Sequence, residues 1–569
     1  MNHSFIFRIR FFSSLVVIFA AVLVLKLFFL QIINADAYSQ RADRQYVTPS
    51  SNIFNRGSIF FTTKDGQLVS AATVKSGFKI AIKPNKIKDA SSTYDALNAI
   101  VLLDKDFFLE KVEKKDDPYE EISHRLTKRE ADDINSLGLA GVSLYKESWR
   151  FYPGSSLAAN ILGFVGWDKD RLRGRYGLER QYNDILSRNE DKPYVNFFAE
   201  VFSKIGYLFQ DSSTKEGDII ISIEPSVQNF FESNLRNILD KWEAEFIGGV
   251  IIDPMDGSIY ALAHLPTFDL NNFSKVEDPR LFSNPLVENV FEFGSIIKPL
   301  TMAAGLDAGV VTPDTEYVDQ GSVVVDNKRI YNFDKKARGR VDMKAVINQS
   351  LNTGAVFVMQ KLGPEKFREY MLSFGLGEKT GIDLPSETFG LVRNLNSPRN
   401  IEYATASFGQ GIAITPMEAV RAFSTLANGG TLITPHIVKE IKYKEGGSQV
   451  AEQEAGKKVI TKETSEEITR MMTEVIDKSI LSGAYKLEHY SIAAKTGTAQ
   501  IAKEGGGGYY EDRFLHSFFG YFPAFDPEFL VLLYLYNPRG VRFSSTTLAP
   551  PFSDITKFLI SYYNIPPDR

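Results

Sequence analysis

Gly294-Ser295-Ile296-Ile297-Lys298-Pro299 is the stretch on which the reading turns. The run from Ile296 to Ala308 has helical periodicity, and Pro299 is tolerated only near a helix start, so a helix must begin close to Ser295. A serine at that point turns its hydroxyl into open space, and its backbone N–H is not committed to a helical bond. Lys298 shares the same helix face, one turn away. A serine hydroxyl is a weak nucleophile at neutral pH and needs a neighbouring base. Lysine can serve if burial or nearby positive charge leaves it neutral. The spacing alone is weak evidence, because Ser76/Lys79, Ser143/Lys146 and Ser212/Lys215 share it, and an isolated match usually marks a solvated surface element. Placement separates them. Around Ser76 the pattern alternates like a strand, which sends positions three apart to opposite faces.

Two further motifs follow in order. Ser350-Leu351-Asn352 falls between helical stretches at Met343–Asn348 and Gly354–Leu362, as a tight loop from which a hydroxyl could relay protons and an amide could orient a lysine. Lys495-Thr496-Gly497-Thr498 continues a strand beginning at Ser491. Glycine in a strand permits close approach of another backbone, as an extended peptide added along that edge would require. Rival matches are poorer: Ser187/Asn189 stands alone, and Lys379-Thr380-Gly381 lies in the turn-rich stretch 375–387 and lacks the second threonine.

Working outward, Ile247–Asp253 and Ser258–His264 are apolar runs separated by Pro254-Met255-Asp256-Gly257, a hairpin signal. Ser491–Ala494, Ser517–Phe522 and Phe529–Tyr536 are three more strands, the last two joined through a turn at Pro523 and Asp526-Pro527. A mainly helical stretch separates the two strand groups, which implies one antiparallel sheet with a helical insertion, an α+β domain. Ile219–Ile223 reads as a short β run and Ser226–Leu239 as a helix. Upstream, residues 34–216 read as a folded, loop-rich module. It has a strand at Phe78–Ile82, a charged region rich in helix formers at Leu109–Leu137, and no catalytic cluster of its own.

Phe11–Ile33 is broken only by Ser13, Ser14, Lys26 and Gln31, and its length suits a membrane-spanning helix of about 20 apolar residues. Arg8 and Arg10 precede it, which predicts a cytoplasmic N-terminus and an outward-facing remainder. Ala35-Asp36-Ala37 resembles a cleavage site, but the apolar run exceeds the 7–15 residues of a signal peptide's core. The expected layout is therefore a cytoplasmic tail (1–10), an anchor (11–33), a pedestal (34–216) and a catalytic domain (217–569). A net charge of −5 argues against nucleic acid as a partner. With no cysteine and six scattered histidines, disulfides, thiolate chemistry and a Cys- or His-built metal centre are not expected.

The three motifs are the established signature of penicillin-binding proteins and class A β-lactamases. Together with Arg56-Gly57-Ser58-Ile59, Arg150-Phe151-Tyr152-Pro153, Gly177-Leu178-Glu179, Gly409-Gln410-Gly411 and Leu426-Ala427-Asn428-Gly429-Gly430, the chain resembles a class B penicillin-binding protein. That is the monofunctional D,D-transpeptidase type, and the likeness runs over nearly the whole length. It implies a transpeptidase domain with a five-stranded antiparallel sheet and a helical subdomain, preceded by a dimerisation-type pedestal. It also implies roles. Ser295 would attack the penultimate D-Ala carbonyl of a stem peptide and Lys298 would take its proton. Ser350 and Asn352 would relay protons and steady Lys298. Lys495, Thr496, Gly497 and Thr498 would hold the substrate or β-lactam carboxylate. The backbone N–H groups of Ser295 and Thr498 would form the oxyanion hole. No cofactor or metal is called for. The implied partners are stem peptides, β-lactams, and membrane proteins of the division or elongation machinery, among them a SEDS-family glycosyltransferase; Ser350-Leu351-Asn352-Thr353-Gly354 leans to division. Two departures from the family pattern are Leu351, where polar residues are common, and Glu418, where glutamine is frequent. A β-lactamase, distinguished by rapid turnover of a chromogenic cephalosporin, and a non-catalytic β-lactam sensor are the alternatives. An added glycosyltransferase domain has no signature in 34–216.

Overall fold

The computed structural model describes residues 54–169, 171–188, 216–451, 456–503 and 505–569, together with Phe19, Val22, Leu23 and Lys26. The anchor expected at 11–33 lies almost wholly outside the described residues, and among those described no helix is long and apolar enough to cross a membrane. The described residues form two compact units, one holding residues 75–149 and the other residues 56–74, 150–188 and 216–569. Two short segments of the expected pedestal thus pack in the same unit as the catalytic motifs.

In the smaller unit, helices Ala90–Asn98, Lys105–Glu113 and Lys128–Ser136 start on Asp89, Asp104 and Thr127, whose side chains accept backbone N–H groups of the first turn. Ile80, Ile82, Leu97, Phe108, Ile122, Leu126 and Ile134 make its core. The charged region at 109–137 is not helical throughout. Glu120–Leu126 is a strand whose buried residues alternate at its start, and Glu120 can sit inward because Lys111 reaches its carboxylate at 2.5 Å.

The larger unit contains α1 (Pro225–Lys241), β1 (Phe246–Ile252), β2 (Ile259–Leu265), α2 (Lys298–Asp307), α3 (Met343–Asn348), α4 (Asn352–Leu362), β3 (Ala493–Ala502), β4 (Tyr509–Phe522), β5 (Phe529–Tyr536) and α5 (Ser544–Tyr563). The five strands form one antiparallel sheet in the order β3-β4-β5-β1-β2, so the two distant strand groups join through β5 and β1 and β3 lies at an edge. Alternation along β4 fixes the two faces. Phe519 stacks on Phe423 of the helix Pro416–Ala427, while its neighbour Phe518 packs on Phe552 of α5. The β run expected at 219–223 forms Gly217–Ile221, which joins a separate sheet, parallel to Ile59–Thr62 and antiparallel to Val438–Tyr443.

Three of the quoted upstream motifs meet in a buried ion triad. Arg56 Nε donates to Glu179 Oε2 at 2.6 Å and Arg150 Nε to Oε1 at 2.5 Å. Arg150 Nη1 reaches the Gly57 carbonyl at 2.7 Å, and the Tyr152 hydroxyl adds a bond to Glu179 at 3.3 Å. Burial alone pushes the Glu179 carboxyl up, but the two guanidiniums outweigh it and hold it below the usual range. Glu179→Ala leaves two buried cations unpaired and should cost about 3–5 kcal/mol, read as a lower urea midpoint. Because the folded carboxyl is depressed, its stabilisation is present above about pH 4.5 and fades as pH falls through the folded value. The deficit of the variant should therefore shrink in acid.

Candidate active site

A tight turn at Gly294–Ile297 runs directly into α2, with Pro299 in the first turn. Gly294 takes φ +64, and its N–H donates to the Gly409 carbonyl at 3.2 Å. This positive φ favours glycine and turns the chain so that Ser295 opens the helical segment. Ser295 is half-buried, and its hydroxyl makes no hydrogen bond with any other described residue. Its N–H falls at a helix start, where such groups have no intrahelical partner.

Lys298 and Lys495 are each 1 % exposed, and both reach the hydroxyl of Ser350. Lys298 Nζ donates to Ser350 Oγ at 3.1 Å and to the Ser350 carbonyl at 2.6 Å; Lys495 Nζ donates to the same Oγ at 3.1 Å and to the Thr496 carbonyl at 2.9 Å. Neither has a carboxylate partner among the described residues. Burial, and then repulsion from Lys495, drives the Lys298 ammonium well below its ordinary value. Burial alone brings Lys495 down to about 7. Ser350 sits between α3 and α4 with φ +54, an unusual angle for a residue with a side chain, which costs about 1–3 kcal/mol. That bend points both its carbonyl and its hydroxyl at Lys298. Leu351 beside it is fully buried, so an apolar residue suits the position.

β3 carries Lys495, Thr496, Gly497 and Thr498 along the sheet edge. A Cβ at Gly497 would lie 2.3 Å from Ser517 Oγ and 2.7 Å from the Phe293 carbonyl, so the strand approaches the turn that carries Ser295 as only glycine allows. Ser517 Oγ donates to that same carbonyl at 2.9 Å and ties β4 to it. Gly497→Ala should push β3 away from Ser295. We expect acylation by a fluorescent penicillin to slow about 10²-fold in stopped flow, since a 1 Å misplacement of reacting groups costs that much.

Thr498 is also held from behind. Its Oγ1 accepts the Ser544 N–H at the start of α5, at 3.2 Å. His516, paired with Thr498 in register and fully buried, bridges the Arg542 carbonyl at 3.0 Å and the Thr547 hydroxyl at 2.9 Å. Burial lowers its imidazole to about 4, so it is neutral at physiological pH. The contact with a carbonyl then assigns its proton to Nε2.

Of the residues expected from sequence, the structure brings Lys298, Ser350 and Lys495 into direct contact, with Ser295 opening the helical segment that carries Lys298. Asn352 does not join them. It begins α4, and its amide donates to the Tyr331 carbonyl at 2.8 Å, with no bond to Lys298 among the described residues. Lys298 is steadied by the Ser350 carbonyl instead. Two of the decoys are structural: Lys79 is paired with Glu121, and Thr380 donates its N–H and hydroxyl to Glu387, while Ser212/Lys215 and Asn189 lie outside the described residues. Glu418 caps its own helix, and its Oε1 accepts the N–H groups of Gly377 and Gly390 at 2.9 Å each. Sequence reading missed His516 and Ser544, whose only signals are a lone polar residue in an apolar strand and a serine before a helix.

A serine at a helix start beside buried lysines is an arrangement that can supply a lysine-assisted nucleophile. The chain belongs to the penicillin-binding protein family: residues 247–557 match the Penicillin binding protein transpeptidase domain and residues 55–197 the Penicillin-binding Protein dimerisation domain. It is 32% identical to Stage V sporulation protein D of Bacillus subtilis over 88% of this chain and 78% of that protein. With the probable peptidoglycan D,D-transpeptidase PenA of Neisseria meningitidis it shares 25% identity over 99% of this chain and 94% of the other. The same fold is found in crystal structures of Penicillin Binding Protein 2X from Streptococcus thermophilus (TM-score 0.71, 19% identity, 90% of this chain and 81% of that one) and of penicillin binding protein 3 from Mycobacterium tuberculosis complexed with aztreonam (TM-score 0.69, 21% identity, 91% and 98%).

Proposed function

We propose that this protein is a membrane-anchored, β-lactam-sensitive peptidoglycan D,D-transpeptidase that works through an acyl-enzyme on Ser295. The observation that carries the reading is the convergence of two buried, carboxylate-free lysines on the hydroxyl of Ser350, beside a serine that opens a helix. A neutral Lys298 amine has two N–H groups and one lone pair. Both N–H groups are used on the carbonyl and hydroxyl of Ser350, which leaves the lone pair to take the proton of Ser295.

The steps follow. Ser295 Oγ attacks the penultimate D-Ala carbonyl, and its proton passes to Lys298. The oxyanion is held by the N–H groups of Ser295 and Thr498. With both lone pairs of Ser350 Oγ occupied by lysine donors, its own O–H is directed to the leaving amine. As the C–N bond breaks, the amine takes that proton, and Ser350 is reprotonated from Lys298. The terminal D-Ala leaves and the acyl group remains on Ser295. An amine from a neighbouring stem then attacks the ester, its proton returns to Ser295, and the cross-link is released. Lys495, Thr496, Gly497 and Thr498 hold the carboxylate of the donor peptide, and that of a β-lactam, on the β3 edge. Asn352 begins α4, with its amide committed to the Tyr331 carbonyl.

The direct test is exchange. The full chain in detergent, given a stem pentapeptide ending in D-Ala-D-Ala and isotopically labelled D-Ala, should build the label into the terminal position. Hydrolysis without exchange would instead make it a carboxypeptidase. The N-terminal apolar run supports an anchor at 11–33, with the tail 1–10 inside, a pedestal over 34–216 and the transpeptidase domain over 217–569 outside. We assign the pedestal and anchor the contact with a SEDS-family glycosyltransferase and other division proteins, and the enzyme a septal role. A fluorescent fusion should gather at midcell; lateral patches would place it in elongation.

A further inference from the structure

Ser350 keeps its left-handed backbone, φ +54, at the entry to α4. A strained angle of this kind persists only where the surroundings over-determine it. Leu351, which precedes the first residue of α4, has no side-chain oxygen with which to cap the helix. The cap is borrowed. Just past the hairpin Ser322–Val325/Lys328–Tyr331, Asn332 Oδ1 accepts the Thr353 N–H at 3.2 Å, and the adjacent Tyr331 carbonyl accepts the Asn352 amide at 2.8 Å. Asn332 is itself fixed, its Nδ2 donating to both oxygens of Asp319 at 3.0 Å each. Thr353 closes the ring. Its hydroxyl donates to Asp319 Oδ1 at 2.8 Å, which leaves it to accept the Tyr317 hydroxyl at 3.0 Å.

Asp319, Asn332 and Thr353 are all buried. Asp319 also accepts the N–H groups of Gly321 at 2.9 Å and Arg338 at 3.1 Å, so four residues donate to it. No cation pairs with it among the described residues, since the Arg338 guanidinium is paired with Asp334. A site made wholly of donors takes a carboxylate and rejects an amide, whose NH2 would face them. We propose that Asp319, Asn332 and Thr353 are positioning residues for acyl transfer. Together they clamp the first turn of α4 and so hold Ser350 bent, with its carbonyl and hydroxyl on Lys298. The clamp serves the acyl-enzyme step proposed above, on which its role rests.

Stopped-flow acylation of the full chain in detergent by fluorescent penicillin, run over a range of concentrations, separates drug binding from the covalent rate and ends on the labelled fraction. Thr353→Val exchanges the hydroxyl for a methyl, and Asp319→Asn turns one acceptor into a donor. Each should slow the covalent step at least about tenfold, within the roughly 10²-fold that a 1 Å misplacement costs. Binding should stay within about twofold of wild type, because β3 holds the drug's carboxylate, and every chain should still become labelled. Thr353→Ser keeps the hydroxyl and should acylate within about threefold of wild type. Arg340→Ala, which breaks an exposed ion pair with Glu316, should acylate like wild type. The Thr353 pair decides if Asp319→Asn does not fold. A Thr353→Val protein with the wild-type covalent rate would overturn the proposal. So would a loss confined to its labelled fraction, the mark of a clamp that only supports folding. An unlabelled wild-type chain would overturn the acyl-enzyme itself, and the clamp's role with it.

Discussion

Replacing Ser295 by alanine should abolish covalent labelling by fluorescent penicillin while leaving the fold intact. The other described hydroxyl beside the depressed lysines, that of Ser350, already accepts from both of them, so its lone pairs are engaged and it does not take over as nucleophile. Removal of a catalytic nucleophile typically lowers turnover by about 10⁶-fold, which takes the signal below detection. Stability should barely move, because the lost hydroxyl is half-buried and has no hydrogen-bond partner among the described residues. A labelled Ser295→Ala protein would mean that another residue is acylated.

Lys298→Met is the second large effect, and it has two signs. Loss of the base should slow acylation about 10²–10⁴-fold. Stability should hold or rise, because the variant replaces a fully buried amine without a carboxylate partner by an apolar side chain of similar length. A merely structural lysine would show the reverse pattern. The same electrostatics fix the pH dependence. On the acid side, acylation falls as Lys298 gains its proton; on the alkaline side it falls as Lys495 loses its own above about 7 and with it the charge that holds a carboxylate. The folded values lie below the unfolded ones, so the unfolded chain binds more protons between about pH 7 and 10.5, and stability rises with pH across that window.

How far the sequence carried this picture depended on the range of the signal. The five strands of the sheet were legible because short apolar runs and the turn residues that bound them are local, and the start of α2 because Pro299 and Gly294 constrain the backbone directly. The strand Glu120–Leu126 was hidden in a charged stretch, since Glu120 is buried only by virtue of lysines that approach it in space. In the site, residue types and spacing named Ser295, Lys298, Ser350 and Lys495. Nothing in the chain announces that the Ser350 backbone adopts a left-handed turn, so its carbonyl, rather than the Asn352 amide, grips Lys298. The support behind Thr498 was equally silent, because His516 and Ser544 meet that strand only through tertiary packing.

The claim at the centre is the acyl-enzyme on Ser295, and mass spectrometry of the protein after exposure to a β-lactam tests it most directly. The intact mass should rise by that of one whole β-lactam, and proteolysis should place the adduct on the peptide containing Ser295. An adduct on any other peptide, or an unmodified chain under saturating drug, would contradict it.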